Sequence, residues 1–292
     1  MKTRIISGIV MALIVAAFLS LGILVSSLFI TLFIAAITAV AIYELLHNAA
    51  GIKSKAALIW ACAFSALFIV GADRYLQDKI YSSIPYSVDT IVSQSTKFYN
   101  YWAYGFVGLI ILYFIFAAII ILKNHKDFGL AQIAVLFGFP FPYAYAFSCL
   151  GGIISHNNGI FYLLMLLNFS SVCDMGAYFV GSTLGKHKLC PEISPKKTVE
   201  GAVGGILSSI VVSLILVFAF SVTEMLAAAL ILTVPFCILG MIGDLFASAI
   251  KRTAGIKDYG KLIPGHGGIL DRFDSIIMIA PLFSIFVTAG IM

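Results

Sequence analysis

The sequence predicts an all-α fold, a polytopic integral membrane bundle of about nine transmembrane helices. Three observations carry this expectation. Of the 292 residues, 61% are hydrophobic and 11% charged, where soluble domains hold roughly 25% charged residues. Mean hydropathy is +1.07 over the whole length. Apolar runs are unbroken, and the one from Ile5 to Tyr43 contains no Asp, Glu, Lys or Arg. A transmembrane barrel would instead alternate polar and apolar positions in ~10-residue strands, and a soluble globular enzyme is excluded.

A bilayer core about 30 Å thick takes about 20 helical residues per crossing. Apolar windows between charge clusters then place spans at 5–25, 28–46, 56–72, 101–122, 128–150, 160–184, 201–221, 226–247 and 272–290. The first run is too long for a cleaved signal peptide and continues into a second span. With Lys2 and Arg4 in the cytoplasm, nine spans put 15 of the 18 Lys and Arg on that side. Only Arg74, Lys79 and Lys97 lie outside, in the longest expected loop, Asp73 to Asn100, beside Asp73, Asp78 and Asp89. This obeys the positive-inside rule with the C-terminus outside. Dropping 56–72 would put basic clusters on the wrong side. The basic residues, sparse and set between apolar spans, answer to topology and imply no nucleic-acid partner. Cys62, Cys149, Cys173, Cys190 and Cys237 lack metal-like spacing and read as small packing residues.

No internal repeat marks the transporter architecture of inverted halves. Residues 1–160 read as a scaffold of plain spans, where oligomer contacts would lie, and 161–292 as a catalytic region. Of the 31 charged residues, 17 fall between Asp174 and Asp274, nine basic and eight acidic.

Four segments there carry chemistry. Asp174 lies inside an apolar span, where a carboxylate costs about 2.5 to 3.5 kcal/mol on insertion scales and so should face a cavity, a cation or a partner. It shares a helix face with Tyr178 and Gly181. An interhelical hydrogen bond is the plain alternative for Asp174. In Ser194-Pro-Lys196-Lys197-Thr198, two ammonium groups, two hydroxyls and the next helix's first N–H groups suit an anion, although positive-inside anchoring alone also accounts for the lysines. No Walker A loop is present, and His47, His125, His156 and His187 read as solvated. Asp244, Ser248 and Lys251 form an i, i+4, i+7 stripe ending in Arg252, for which an internal Asp244–Lys251 pair is the bland reading. Lys257 to Ser275 holds Asp271 and Asp274 at i, i+3 behind Gly265, Gly267 and Gly268. Paired carboxylates repel, raising a pKa or inviting a divalent cation, and the glycines permit positive φ and close backbone approach. Helix N-capping explains one of the two carboxylates and leaves the other. Hard oxygen ligands, phosphate-type cations and permissive backbone at one membrane face fit metal-assisted phosphoryl or nucleotidyl transfer.

The stretch Ser248-x-Ile-Lys-Arg252-x4-Lys257-Asp258-x-Gly260-x2-Ile263-Pro264-x-His266-Gly-Gly268-Ile-x-Asp271-Arg272-Phe-Asp274 resembles, along its whole length, the signature of the phosphatidate cytidylyltransferases, or CDP-diacylglycerol synthases. The segments Asp174-Met-Gly-Ala-Tyr178 and Ser194 to Thr198 also look like this family, whereas the scaffold before them matches in hydropathy alone. The resemblance implies transfer of CMP from CTP to phosphatidic acid, giving CDP-diacylglycerol and pyrophosphate, with Mg²⁺ and K⁺ as the candidate second cation. It implies Asp244, Asp271 and Asp274 as metal ligands. It also implies Ser194, Lys196, Lys197 and Thr198 near the CTP phosphates, with Asp174, Lys251, Arg252, Lys257, His266 and Arg272 serving substrates or catalysis. By family, a homodimer in the inner membrane with its site facing the cytoplasm is expected. The competing class is an ion-coupled transporter using Asp174 and Asp244; a neighbouring one is the same chemistry on an ether-lipid phosphate or isoprenoid acceptor.

Overall fold

A computed structural model describes residues 2–24, 26–82 and 89–292, with side chains omitted at 2–6, 9, 11, 12, 23, 24, 73–82 and 89–104. Eleven helices are present among the described residues: α1 Lys2–Leu24, α2 Leu28–Tyr43, α3 Lys55–Ser82, α4 Asp89–Lys123, α5 Leu130–Gly138, α6 Pro140–Ile154, α7 Gly159–Leu167, α8 Cys173–Leu184, α9 Val199–Ala219, α10 Leu226–Thr253 and α11 Leu270–Thr288. Seven helical stretches there are long and apolar enough to cross a membrane. The chain is an all-α polytopic membrane protein.

The structure departs from the hydropathy reading in three places. The expected outer loop is mostly helical, since α3 runs to Ser82 and α4 starts at Asp89. Hydropathy marks where the bilayer ends, and a helix continues past that point because its hydrogen bonds are internal. The charge balance expected at residues 73–100 lies outside the described side chains, and 83–88 outside the described residues. The window 128–150 is two helices broken at Phe139, because Pro140 lacks the N–H that a continuous helix needs and serves instead as a first helical residue. Finally, the Lys-rich segment between α8 and α9 forms a small antiparallel hairpin, β1 Lys188–Cys190 with β2 Ser194–Thr198, pairing Lys188 with Thr198 and Cys190 with Ser194.

Two compact units make up the chain. The first comprises residues 1–152 together with Tyr259–Leu270. In it Phe64 stacks on Tyr113 with ring centroids 4.3 Å apart, and the buried Tyr113 hydroxyl donates to the Leu136 carbonyl at 2.6 Å. Helix α2 ends in a π-helical turn, Glu44–Ala49.

The second unit comprises residues 153–258 and 271–292. Phe169, Phe236 and Phe283 meet there, stacked and edge to face at 5.2 to 5.5 Å. A second π-helical turn, Asn168–Val172, joins α7 to α8. Its buried Asn168 amide donates to the Ser209 carbonyl at 3.0 Å and to the Ser213 hydroxyl at 2.9 Å. Ser213 in turn meets Thr233 at 2.7 Å. These bonds satisfy polar groups that lipid could not. Helices α8 and α9 approach through small residues: a Cβ at Gly176 would strike Ser208, and one at Gly205 would strike the Cys173 carbonyl. The α9 start is fixed by Thr198, whose buried hydroxyl accepts from the Gly201 N–H at 3.1 Å. Replacing Thr198 with Val should cost about 1 kcal/mol, read as a lowered melting temperature in detergent; an unchanged melt would show that this cap contributes nothing.

Candidate active site

Three helices and the hairpin of the second unit bring charged residues together. Asp174 stands one residue into α8, directly after the π-helical turn; such turns re-aim the side chains around them and recur at functional sites. Asp244 lies on α10, Lys197 on β2. The Lys197 ammonium forms an ion pair with Asp244 and lies 3.9 Å from Asp174. Burial would lower the pKa of that ammonium, yet Asp244, Asp174 and Asp274 outweigh burial and hold it above the ordinary lysine range. Lys197 therefore stays cationic at any neutral working pH.

A cavity of about 250 Å³ opens beside this group, lined by Asp174, Tyr178, Ser194, Lys196, Lys197, Thr198, Met241 and Asp244 among others. Two cations, two carboxylates and a serine hydroxyl thus meet an apolar wall of Leu189, Ala202 and Met241. Tyr178, 70% exposed, shares this cavity with Asp174 as their helical spacing predicted. Gly181 instead faces Thr198 and Gly201 in the α8–α9 contact.

A second cluster joins α10 to the start of α11. Lys251, buried near the end of α10, donates to Asp271 at 3.0 Å and lies 3.7 Å from Asp274. The two carboxylates one helical turn apart thus share one ammonium, which offsets their repulsion. The internal Asp244–Lys251 pair on α10 is not formed, because each has a nearer partner on another element: Lys197 for Asp244, Asp271 for Lys251.

Other expected residues have different surroundings. The Thr198 hydroxyl oxygen accepts the bond that caps α9, and the residue also lines the cavity. Arg252 reaches back to the Ile256 carbonyl at 3.4 Å, closing the end of α10. Lys257 and Arg272 are exposed. His187, expected to be free in solvent, is surface-exposed but holds Glu200 at 2.6 Å, and the same carboxylate accepts the Lys186 and His187 N–H groups. This clasp ties the foot of the hairpin to α9.

The glycine-rich segment Tyr259–Leu270 belongs to the first unit. Gly265 and Gly267 have φ of +79° and +87°, the left-handed backbone anticipated for them. Gly268 does not; a Cβ there would collide with the Glu44 carboxylate. His266 Nδ1 meets the Ser7 hydroxyl at 2.8 Å, and that hydroxyl donates to the Pro264 carbonyl at 2.9 Å. Glu44, Asn48 and Ser7 were missed from sequence. The signal for Glu44 was present, as the one acidic residue among the first two spans.

The donor set at Asp244, Asp271 and Asp274 consists of carboxylate oxygens, the chemistry a hard divalent cation takes. Among the described residues no three His, Cys, Asp or Glu side chains converge on one point; Lys197 and Lys251 hold the carboxylates as two sets. A cation at these oxygens would have to compete with the Lys197 and Lys251 ammonium groups.

A model described as the cytidylyltransferase family matches residues 2–289. The chain is 37% identical over 184 residues to the phosphatidate cytidylyltransferase of Staphylococcus haemolyticus, covering 61% of this chain and 67% of that protein. It is 39% identical over the same shares to the protein of that name from Staphylococcus saprophyticus. With the one from Staphylococcus aureus strain COL it shares 41% identity over 131 residues, 45% of this chain and 50% of the relative. The comparisons give no support to an ion-coupled transporter. With a family match running almost end to end and relatives above 30% identity, this chain belongs to the cytidylyltransferase family.

Proposed function

We propose that the chain is a phosphatidate cytidylyltransferase of the cytoplasmic membrane, taking CMP from CTP onto phosphatidic acid. The observation that carries this reading is the cavity where Lys196, Lys197 and Ser194 stand against Asp174 and Asp244, in a family of cytidylyltransferases. Polyanion-binding groups and cation-binding groups lie within one enclosure of a membrane protein.

The nucleophile is a phosphomonoester oxygen of the lipid, largely dianionic at pH 7 if its second pKa lies near 6 as for protein phosphomonoesters. It needs little general-base help. It attacks the α-phosphorus of CTP, the bond from that phosphorus to the bridging oxygen breaks, and pyrophosphate departs with the electron pair. The obstacle is mutual repulsion between two polyanions, so the protein's task is charge neutralisation and in-line positioning. Ser194, Lys196 and Lys197 receive the nucleotide phosphates. Thr198 supports them by starting α9, whose N-terminus favours negative charge. Asp244, Asp271 and Asp274 would hold Mg²⁺, with K⁺ as the candidate second cation, and Asp174 lines the substrate cavity. A bound divalent cation supplies Lewis-acid stabilisation of the phosphate oxygens. Lys251 orients Asp271 and Asp274, Arg252 and Arg272 offset charge at the rim, and Lys257 and His266 attend the substrates from the signature segment. Residues 161–292 carry this site and 1–160 the scaffold, with the site facing the cytoplasm and the enzyme a homodimer.

Radiolabelled CTP should be consumed and pyrophosphate released only when phosphatidic acid and Mg²⁺ are both supplied, and chelation with EDTA should stop turnover. CTP consumption without a lipid acceptor, or preference for an isoprenoid phosphate or an ether lipid in an acceptor panel, would overturn the assignment.

A further inference from the structure

Glu44 is a carboxylate 4% exposed, at the first position of the π-helical turn that ends α2. Ile42, Leu45 and Leu46, within two residues of it, are buried as well, though Tyr43 is exposed, and ionisation of a carboxylate so buried is costly unless hydrogen bonds compensate it. They come from the signature segment of the same unit. Glu44 Oε1 accepts from the Ile269 N–H at 3.1 Å and Oε2 from the Leu270 N–H at 2.9 Å. These amides stand where α11 begins, and helix-start N–H groups have no intrahelical partner of their own. Gly260 and Gly268 flank the carboxylate so closely that a Cβ at either would overlap it. One turn further along, Asn48 donates from Nδ2 to the Tyr259 carbonyl at 2.6 Å. One π-helical turn therefore grips both ends of the segment, Tyr259–Gly260 at one side and Gly268–Leu270 at the other.

We infer that Glu44 is a positioning residue for the reaction proposed above: its carboxylate sets the backbone from which α11 starts, and so the direction in which Asp271, the next residue in the chain, leaves that segment. On this view two of the signature glycines exist to admit a carboxylate of the protein, not a substrate phosphate. A carboxylate with two oxygens serves two donors at once, which explains Glu at this position. Gln offers one acceptor oxygen and turns an N–H₂ toward the other amide, while Asp retracts the group by one methylene.

The inference rests on the cytidylyltransferase reading for its kinetic consequence, and two readouts separate the two. In kinetics, Glu44→Gln should lower kcat at least tenfold with KM for CTP changed less than threefold. Gly268→Ala should lower kcat similarly, and Glu44→Asp added to Gly268→Ala should restore activity toward that of Glu44→Asp alone, because the shorter side chain makes room for the new methyl. In amide hydrogen exchange on the same full-length proteins without substrate, Ile269 and Leu270 should exchange at least tenfold faster in Glu44→Gln than in the parent. Parent-like kcat in Glu44→Gln, additive losses in the double variant, or unchanged exchange at these two amides would each overturn the inference. A parent without CTP turnover would refute the assigned reaction while the exchange result still decides whether Glu44 sets this backbone.

Discussion

Asp271→Asn is expected to lower kcat for CMP transfer by about two to three orders of magnitude, the range seen when one preorganised electrostatic contact to developing charge is lost. Asp271 is 8% exposed and bonded to Lys251 at 3.0 Å. Asparagine keeps the shape and can still accept from the Lys251 ammonium through its amide oxygen, so the fold should survive with a melting temperature near the parent's. What it loses is one negative charge from an oxygen set read as cation-binding, together with part of the charge that holds Lys251 in place. The Mg²⁺ concentration for half-maximal rate should rise alongside the fall in kcat. A variant that turns over CTP like the parent would remove Asp271 from the mechanism.

Lys197→Met is the second large effect. The ammonium neutralises Asp244 and approaches Asp174, and in the proposed mechanism it transfers that charge to the nucleotide phosphates. Methionine keeps much of the stem's packing but leaves two carboxylates facing each other, and turnover should fall by roughly 10²-fold or more. A second readout moves the other way. With the resident cation gone, the carboxylates are free for a metal, so Mn²⁺ binding without nucleotide should tighten, measured by its electron paramagnetic resonance signal. Breaking a buried ion pair commonly costs about 3 to 5 kcal/mol; Lys197 keeps a quarter of its side chain exposed, so the stability loss should be smaller. Arg at this position keeps the charge but replaces a compact ammonium with a broad planar fork, and rescue should be incomplete. Parent-like activity with weakened or unchanged Mn²⁺ binding would overturn the role.

Much of this candidate site is legible in the sequence because ionisable residues are scarce in a membrane protein. Asp174, Lys197, Asp244, Asp271 and Asp274 stood out against apolar surroundings, and the structure gathers them in one unit. The pairing among them was not legible. Helical spacing put Lys251 on the stripe of Asp244, and only the packing of α11 against α10 gave Lys251 its partner in Asp271. Thr198 shows the same limit: that its hydroxyl oxygen also caps the start of α9 was not legible beside two lysines. His187 looked free because its partner, Glu200, lies across a hairpin that short strands containing Pro195 did not announce.

Composition and periodicity by themselves determined that the chain is a helical membrane protein, where most of its spans run and in which short segments its ionisable residues gather. Those are local properties, fixed by transfer of side chains into lipid and by residues adjacent in the chain. Tertiary structure alone decided which ammonium serves which carboxylate, where α8 and α9 touch, and that Gly260 and Gly268 are shaped around Glu44, which lies at the opposite end of the sequence. Such pairings depend on which helix faces meet, and a buried charge takes the partner that packing brings to it.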